Sequence, residues 1–278
     1  MKIWRCYGVF AMLCGLMGCV YHPVMTPVTK AASWSELTAL TIPPADRVIR
    51  YGNAPGQIID VRLPRSNGRH PVAILLHGGC WQNSFDRGYF GHLAEALRNE
   101  GWATFNVEYR RLGDPGGGWP GTFDDVAAAT AFVLAHGVEW QLELNHVVVV
   151  GHSAGGHLAL LLANREPRIS AVVGLAAITD LAAYQKESID CAESARLLVT
   201  DLELPRADPM QQPVPMHTKI LLWNGSADRI VPAAYATRYA ARSSSITATV
   251  WPGAGHFDLV SPKSSVWPEI IRQFSRLR

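Results

Sequence analysis

Three features of the sequence predict an α/β fold built on a mostly parallel sheet. Residues 147–150 are an unbroken run of valines, the composition of a strand buried on both faces. Directly after it the pattern turns helical, and the alanines and leucines of residues 158–163 suit a helix packed back onto a sheet. From residue 72 to the C-terminus, strand-like apolar runs alternate with helix-like stretches. That alternation specifies parallel strands covered by helices on both faces. The chain of 278 residues is 48% hydrophobic and 17% charged, a globular composition that one domain accounts for. A formal net charge of +2 with no basic run gives no reason to expect nucleic acid as a partner.

The first residues read as an export signal outside that domain. Lys2 and Arg5 form a positive start, and an apolar stretch runs from Cys6 to Leu16 before small residues. Residues 6–20 fall short of the ~20 that a membrane-spanning helix needs, so the segment 1–18 is expected to be cleaved. Leu16-Met17-Gly18-Cys19 resembles the lipobox of bacterial lipoproteins. The resemblance implies that Cys19 is lipidated and anchors the chain to a membrane of the cell envelope, with Val20 favouring a Gram-negative outer membrane. Residues 19–33, rich in Pro, Thr and Val without periodicity, read as a tether, which leaves 34–278 as the domain. Of the five cysteines, Cys80 and Cys191 then remain. An oxidising compartment would let them pair, but spacing alone gives no distance, and two separate thiols are the expectation. No CxxC or HExxH spacing marks a metal site, and no cofactor is expected.

Ser33-Trp34-Ser35-Glu36 has capping-box spacing and opens a short helix before Pro43-Pro44. Residues 47–51 and 57–63 read as edge strands around the turn Asn53-Ala54-Pro55-Gly56. Next come strand 72–76, helix 89–99, strand 103–109, helix 123–135, the valine strand with its helix, and strand 171–178. Strand 219–223, helix 233–241, strand 247–251 and helix 269–277 complete the series. Residues 180–217 break the alternation, being proline-punctuated and without a clear strand. So long a departure is read as a small lid that shapes a pocket.

Between the valine strand and its helix lies Gly151-His152-Ser153-Ala154-Gly155, a GxSxG turn that presents a serine hydroxyl above the end of a sheet. A serine so placed suits acyl transfer, which needs a base, an acid to orient the base, and N–H donors for the oxyanion. In an open α/β sheet these gather at the carboxyl ends of the strands. His77-Gly78-Gly79-Cys80-Trp81 follows strand 72–76, and the N–H groups of Gly79, Cys80 and Ala154 are the candidate oxyanion donors. Of ten histidines, His256 lies in a glycine-rich loop after the last strand and is the candidate base. His77 reads as a hydrogen-bonder that fixes its loop, and His152 and His157 as local packing or capping. Asp228 follows the penultimate strand and completes the order Ser153…Asp228…His256; Asp180, after the strand before it, is the second candidate acid. Asp124 and Asp125 read as charges complementing a helix N-terminus. Asp258 is too near His256 in sequence to be its default partner.

The loop 77–81, the segment 108–120, the Gly-His-Ser-Ala-Gly-Gly elbow at 151–156 and the loop 253–258 together resemble the HGGxW esterases. These are α/β-hydrolases similar to kynurenine formamidases and to BD-FAE-type carbohydrate esterases, and the resemblance runs from Trp34 to the end. It implies a single α/β-hydrolase domain that hydrolyses an ester, or an activated amide such as an N-formyl group. Cys80 stands where an aromatic residue is commoner, a departure that bears on the pocket wall and not on the backbone donors. Tyr109 and Arg110 read as ties between their strand end and the loop 116–118. Trp81 and Trp119 read either as pocket lining or as core.

The leading reading is a lipid-anchored serine hydrolase of small-molecule carboxylic esters, working through an acyl-enzyme. An N-formyl amide hydrolase or a peptidase would use the same machinery. A non-catalytic envelope binding protein on this fold is the reading from a different class. The coincidence of nucleophile, base, acid and oxyanion loop favours an enzyme, since a binding module needs none of them together.

Overall fold

The computed structural model describes residues 27–278; the export signal 1–18 and Cys19 lie outside the described residues. Helix α1 (Trp34–Thr38) opens on the expected capping box, in which the Ser33 hydroxyl accepts from the Glu36 N–H and the Glu36 carboxylate accepts from the Ser33 N–H. Strands β1 (Arg47–Arg50) and β2 (Ile58–Arg62) form an antiparallel hairpin. There follow β3 (His70–Leu76), α2 (Gly91–Asn99), β4 (Ala103–Val107), α3 (Gly121–Ala135), β5 (Leu142–His152), α4 (Ala154–Ala163) and β6 (Ile169–Leu175). The stretch 180–217 holds the short helices α5 (Leu181–Tyr184), α6 (Asp190–Leu198) and α7 (Leu204–Ala207), and no strand. Strand β7 (Lys219–Gly225), α8 (Ala234–Ala240), β8 (Ile246–Trp251) and α9 (Trp267–Ser275) close the chain.

The strands form one sheet in the order β1-β2-β4-β3-β5-β6-β7-β8. Strand β2 is antiparallel to both neighbours, and every pairing from β4 to β8 is parallel. From β3 the chain moves outward to β4, then crosses back to β5 on the other side. The carboxyl ends of β3 and β5 therefore flank the point where the winding reverses, which is where α/β sheets open a crevice.

Period-two alternation divides the core between two layers. Ile74, Leu76, Val147 and Val149 face one layer with Val126, Val133 and Leu158; Ala73, Leu75, Val148 and Val150 face the other with Leu93, Leu97, Ile270 and Phe274. A strand covered on both sides needs apolar residues at every position, hence the valine run. Strand β5 begins earlier than that run, at Leu142, and its register against β6 shifts between Val147 and Val148. Exposed Asn145 and half-buried Glu143 in this extension conceal it from a hydropathy reading.

Residues 27–33 correct the tether reading. The Val28 N–H donates to the Pro252 carbonyl at 2.9 Å, the Ala32 N–H donates to the Asp258 carboxylate at 3.2 Å, and Val28 is buried. Bonds from backbone N–H groups hold this piece, and they leave no periodic trace in the side chains. The stretch 180–217 is likewise stitched down. Asp208 accepts from the N–H groups of Leu181 (2.9 Å) and Met210 (3.0 Å), His157 of α4 donates through Nε2 to the Ala207 carbonyl (2.7 Å), and Tyr184 Oη donates to the Ile230 carbonyl (2.9 Å).

Candidate active site

Ser153 sits between β5 and α4 with φ 54° and ψ −117°, a left-handed conformation costly for a residue with a Cβ. Its N–H donates to the Leu175 carbonyl at 2.9 Å, and its carbonyl accepts from Gly156 and His157 at the start of the helix. Gly155 permits the turn: a Cβ there would run into the carbonyls of Leu76 and His77 at the end of β3. The serine is thereby held against the β3 loop.

Asp228 and His256, from the loops after β7 and β8, meet with Nδ1 of the imidazole 2.8 Å from Oδ2 of the carboxylate, both residues buried. The carboxylate only accepts, so Nδ1 carries the proton and Nε2 is left with its lone pair. The other oxygen, Oδ1, accepts from the N–H groups of Ile230 and Val231, each at 2.8 Å, so the acid is fixed by its own loop. Asp180 stands elsewhere. It caps α5 by accepting from the Ala183 N–H at 2.9 Å and pairs with Arg238 at 3.6 Å. Asp258 binds backbone instead, accepting from Gly255 at 2.8 Å and Ala32 at 3.2 Å.

The loop after β3 takes left-handed φ values at Gly79 (109°), Cys80 (54°) and Trp81 (56°) in succession. Such a run turns successive N–H groups to one side. Among the described residues the N–H groups of Gly79, Cys80 and Ala154 meet no acceptor, whereas that of Gly78 donates to Tyr89 Oη at 2.7 Å. His77 anchors the loop from below. Its Nδ1 is 2.7 Å from the Gly78 carbonyl and its Nε2 is 2.9 Å from the Glu108 carboxylate. The carboxylate only accepts, so Nε2 donates to it. Burial alone would raise the Glu108 carboxyl; the charge and hydrogen bond of His77 and the charge of Arg111 outweigh it and hold the group down to about 2.

One of the ties at 109–110 differs from the sequence reading. Tyr109 stacks on His77 and donates from Oη to the His77 carbonyl at 2.6 Å, so it secures the β3 loop and not the loop 116–118. Arg110 makes a bidentate pair with Asp125, at 2.8 and 2.6 Å, and it does tie to the glycine loop: its guanidinium lies against Gly116, and its carbonyl reaches Gly118 through Thr122. Asp125 is accordingly a buried ion-pair partner, and Asp124 alone stays as an exposed first-turn charge on α3.

His152 has a larger part than local packing. Gly78 N–H donates to Tyr89 Oη, so the Tyr89 hydroxyl donates onward to His152 Nδ1 at 2.7 Å; His152 Nε2–H then donates to the His256 carbonyl at 3.1 Å. Every proton in this chain is assigned by the acceptors at its ends. Burial holds the His152 ring well below the ordinary imidazole range, so it stays neutral. The loops 77–81 and 253–258 are thus strutted apart by two side chains. His157 is buried against Trp81, and burial takes its ring down to about 4.

Above Ser153 and His256 opens a cavity of about 500 Å³, within the range of small-molecule sites. Trp34, Phe85, Tyr89 and Phe257 line one side, and Ile189 and Ile230 are also in its wall. Trp34 lies edge-on to Phe85 and Tyr89 with ring centres 5.3 and 5.2 Å apart. Neither Trp81 nor Trp119 lines it: Trp81 is fully buried in the core and Trp119 stacks on Phe123. The capping box located α1 without indicating its destination, so nothing in the sequence pointed to Trp34.

The expectation of two separate thiols is overturned. Cys80 and Cys191 form a disulfide with Cα atoms 5.0 Å apart, closing a separation of 111 residues. It joins the loop 77–81 to α6, and both cysteines line the cavity. Among the described residues no three His, Cys, Asp or Glu side chains gather as metal ligands.

A serine on a strained elbow after a central strand, with an eight-stranded sheet in this order, defines an α/β-hydrolase. Within that class the chain belongs to the BD-FAE family, whose model matches residues 59–242. Esterase LipC of Mycobacterium tuberculosis is 28% identical over 245 residues, which cover 77% of this chain and 60% of LipC. Kynurenine formamidase of Danio rerio is 27% identical over 161 residues, 54% of this chain and 53% of that protein. The chain therefore spans less than two thirds of the length of either relative. A propionate-bound esterase from Thermogutta terrifontis superposes with a TM-score of 0.71 at 18% identity, over 84% of this chain and 93% of that one. Esterase B from Lactobacillus rhamnosis gives 0.68 at 21% identity over 87% of each chain. These two likenesses establish the fold.

Proposed function

We propose that this protein hydrolyses carboxylic esters by nucleophilic catalysis at Ser153. The observation that carries the reading is the buried 2.8 Å contact between His256 Nδ1 and Asp228, which leaves Nε2 free to take a proton in the cavity that Ser153 lines. In the first half-reaction His256 Nε2 takes the Ser153 hydroxyl proton as Oγ bonds to the ester carbonyl carbon. The carbonyl π pair moves onto oxygen, which the N–H groups of Gly79, Cys80 and Ala154 stabilise; such a donor is worth about 2.7–4 kcal/mol in the transition state. Collapse breaks the bond to the alkoxy oxygen, which leaves with the proton from His256. Water then attacks the acyl-enzyme by the same steps and returns the proton to Ser153. Asp228 stays ionised, orients the ring and balances the imidazolium.

The esterase relative and the family membership support the ester reading, and the kynurenine formamidase relative makes N-formyl amides the natural second substrate to assay. A site near the membrane agrees with this chemistry. Leu16-Met17-Gly18-Cys19 has the form of a lipobox, and a disulfide suits an oxidising compartment such as the cell envelope; we assign Cys19 as the lipidated residue. The test is fluorophosphonate labelling of the purified protein alongside hydrolysis of short-chain aryl esters and N-formylkynurenine. Labelling mapped to Ser153 with turnover of at least one ester is the expected result. Turnover without labelling, or labelling at another serine, overturns it.

A further inference from the structure

We propose that Arg229 selects esters that carry an anionic substituent, a carboxylate above all, by holding that group at the rim of the cavity while the ester carbonyl meets Ser153. The inference rests on the esterase reading and names the substrate class for that site. Among the cavity-lining residues Arg229 is the only lysine or arginine, and none is aspartate or glutamate. It shares the lining with the apolar Trp34, Phe85, Phe257, Ile189 and Ile230, and with Ser188. Several arginines elsewhere are committed to structure, with Arg87 on Asp60, Arg110 on Asp125, Arg238 on Asp180 and Arg242 on the Pro209 and Gln212 carbonyls. Arg229 is exposed and has no hydrogen bond or ion pair with any described residue.

The neighbouring Asp228 does not quench it. That carboxylate spends Oδ2 on His256 and Oδ1 on the N–H groups of Ile230 and Val231. The same bonds fix the backbone on both sides of Arg229, so its Cα is as well placed relative to His256 as the acid is. A guanidinium at such a rim offers paired, charge-assisted N–H donors to a planar carboxylate. Apolar walls limit the screening of that attraction by water. A neutral ester gains nothing from it, so the residue acts on selectivity.

The experiment uses two pairs of matched esters: phenyl acetate with meta-acetoxybenzoate, which puts the carboxylate on the leaving group, and phenyl butyrate with phenyl hemisuccinate, which puts it on the acyl group. The quantity read is the ratio of kcat/KM for the anionic ester to that for its neutral partner. In at least one pair Arg229→Gln is expected to lower this ratio about tenfold, Arg229→Lys to retain most of it, and Arg229→Glu to push it below the Gln variant. The wild-type ratio should fall as salt rises from ~0.02 M to ~0.5 M. Ratios indifferent to residue 229 in both pairs overturn this assignment and leave the esterase reading intact. Failure of the wild type to hydrolyse all four esters overturns both.

Discussion

Ser153 and the loop 77–81 occupy the ends of β5 and β3, adjacent strands whose parallel register runs from Val72–Val147 to Leu76–Gly151. The facing wall is made by residues 180–217, which contain no strand. On the strand side each functional group is placed by the backbone close to it: a left-handed serine, a glycine that lets β3 approach, and three left-handed residues in a row. On the wall side position comes from links distant in sequence. These are the Cys80–Cys191 disulfide, His157 on Ala207, and Gln82 on Ser194 at 2.5 Å. Damage on the strand side should therefore appear in kcat, and damage to the wall in stability and KM.

The largest effect expected is that of Ser153→Ala. Loss of a nucleophile that acts as a unit with its base costs about 10⁶-fold in kcat; assay on an aryl ester with a check of the circular dichroism spectrum measures it, and a loss under about a hundredfold would break the comparison. Next is Asp228→Asn, which keeps shape but removes the charge and disturbs the tautomer of His256, for about a 10⁴-fold fall in kcat. Asp180→Asn is its control: Asp180 touches Ala183 and Arg238, and asparagine keeps the cap, so the change loses only the ion pair and costs little stability and little turnover.

Removing the disulfide with Cys80→Ser and Cys191→Ser together should lower unfolding free energy by about 2–4 kcal/mol and raise KM more than it lowers kcat. Denaturant titration and steady-state kinetics read the two effects separately. A loss confined to kcat would place Cys191 on the strand side of the comparison.

Glu108, the carboxylate that holds His77, supplies a separate test through pH. Its folded-state value of about 2 lies below the ordinary 4.5, so the stability it contributes is present above pH 4.5 and is lost as pH falls toward 2. At ~1.4 kcal/mol per unit the contribution is about 3 kcal/mol. Glu108→Gln should be destabilised by that order at pH 7, and the gap to wild type should close at acid pH; a gap that does not change with pH would refute the ionic origin of this stability. The smallest expected effect is that of Tyr89→Phe, which removes the hydroxyl between Gly78 and His152. About a tenfold fall in kcat with KM nearly unchanged marks Tyr89 as a positioning residue, and equal changes in both would mark it as cavity wall alone.

Much of the strand side was legible in the sequence. The run 147–150 betrays a doubly covered strand because both faces demand apolar side chains. The elbow and the glycines of 78–79 are readable because positive φ values at Ser153 and Gly79 and the close approach of His152 and Ser153 at Gly78 restrict the choice at those positions. The parts of the site outside those strand ends were not legible in the same way. Trp34 reaches the cavity through α1 and Phe257 through the loop after β8, while Val28 is held beside that loop by a backbone bond to Pro252. None of these leaves a periodic or motif signature. His152 reads as local from its place in the turn, yet its partners, Tyr89 and the His256 carbonyl, are 63 and 104 residues away.

By itself, then, the sequence determined the α/β class, the order of its main elements, and a short set of candidates in Ser153, Asp228 and His256, because local patterning and strained turns are written in adjacent residues. Tertiary structure alone decided that Asp228 rather than Asp180 meets His256, that Cys80 and Cys191 are joined, and that Arg229 stands without a partner among the described residues over an apolar cavity. Each of those outcomes depends on distances between segments far apart in the chain, and such distances are fixed only when the sheet and its two covering layers pack.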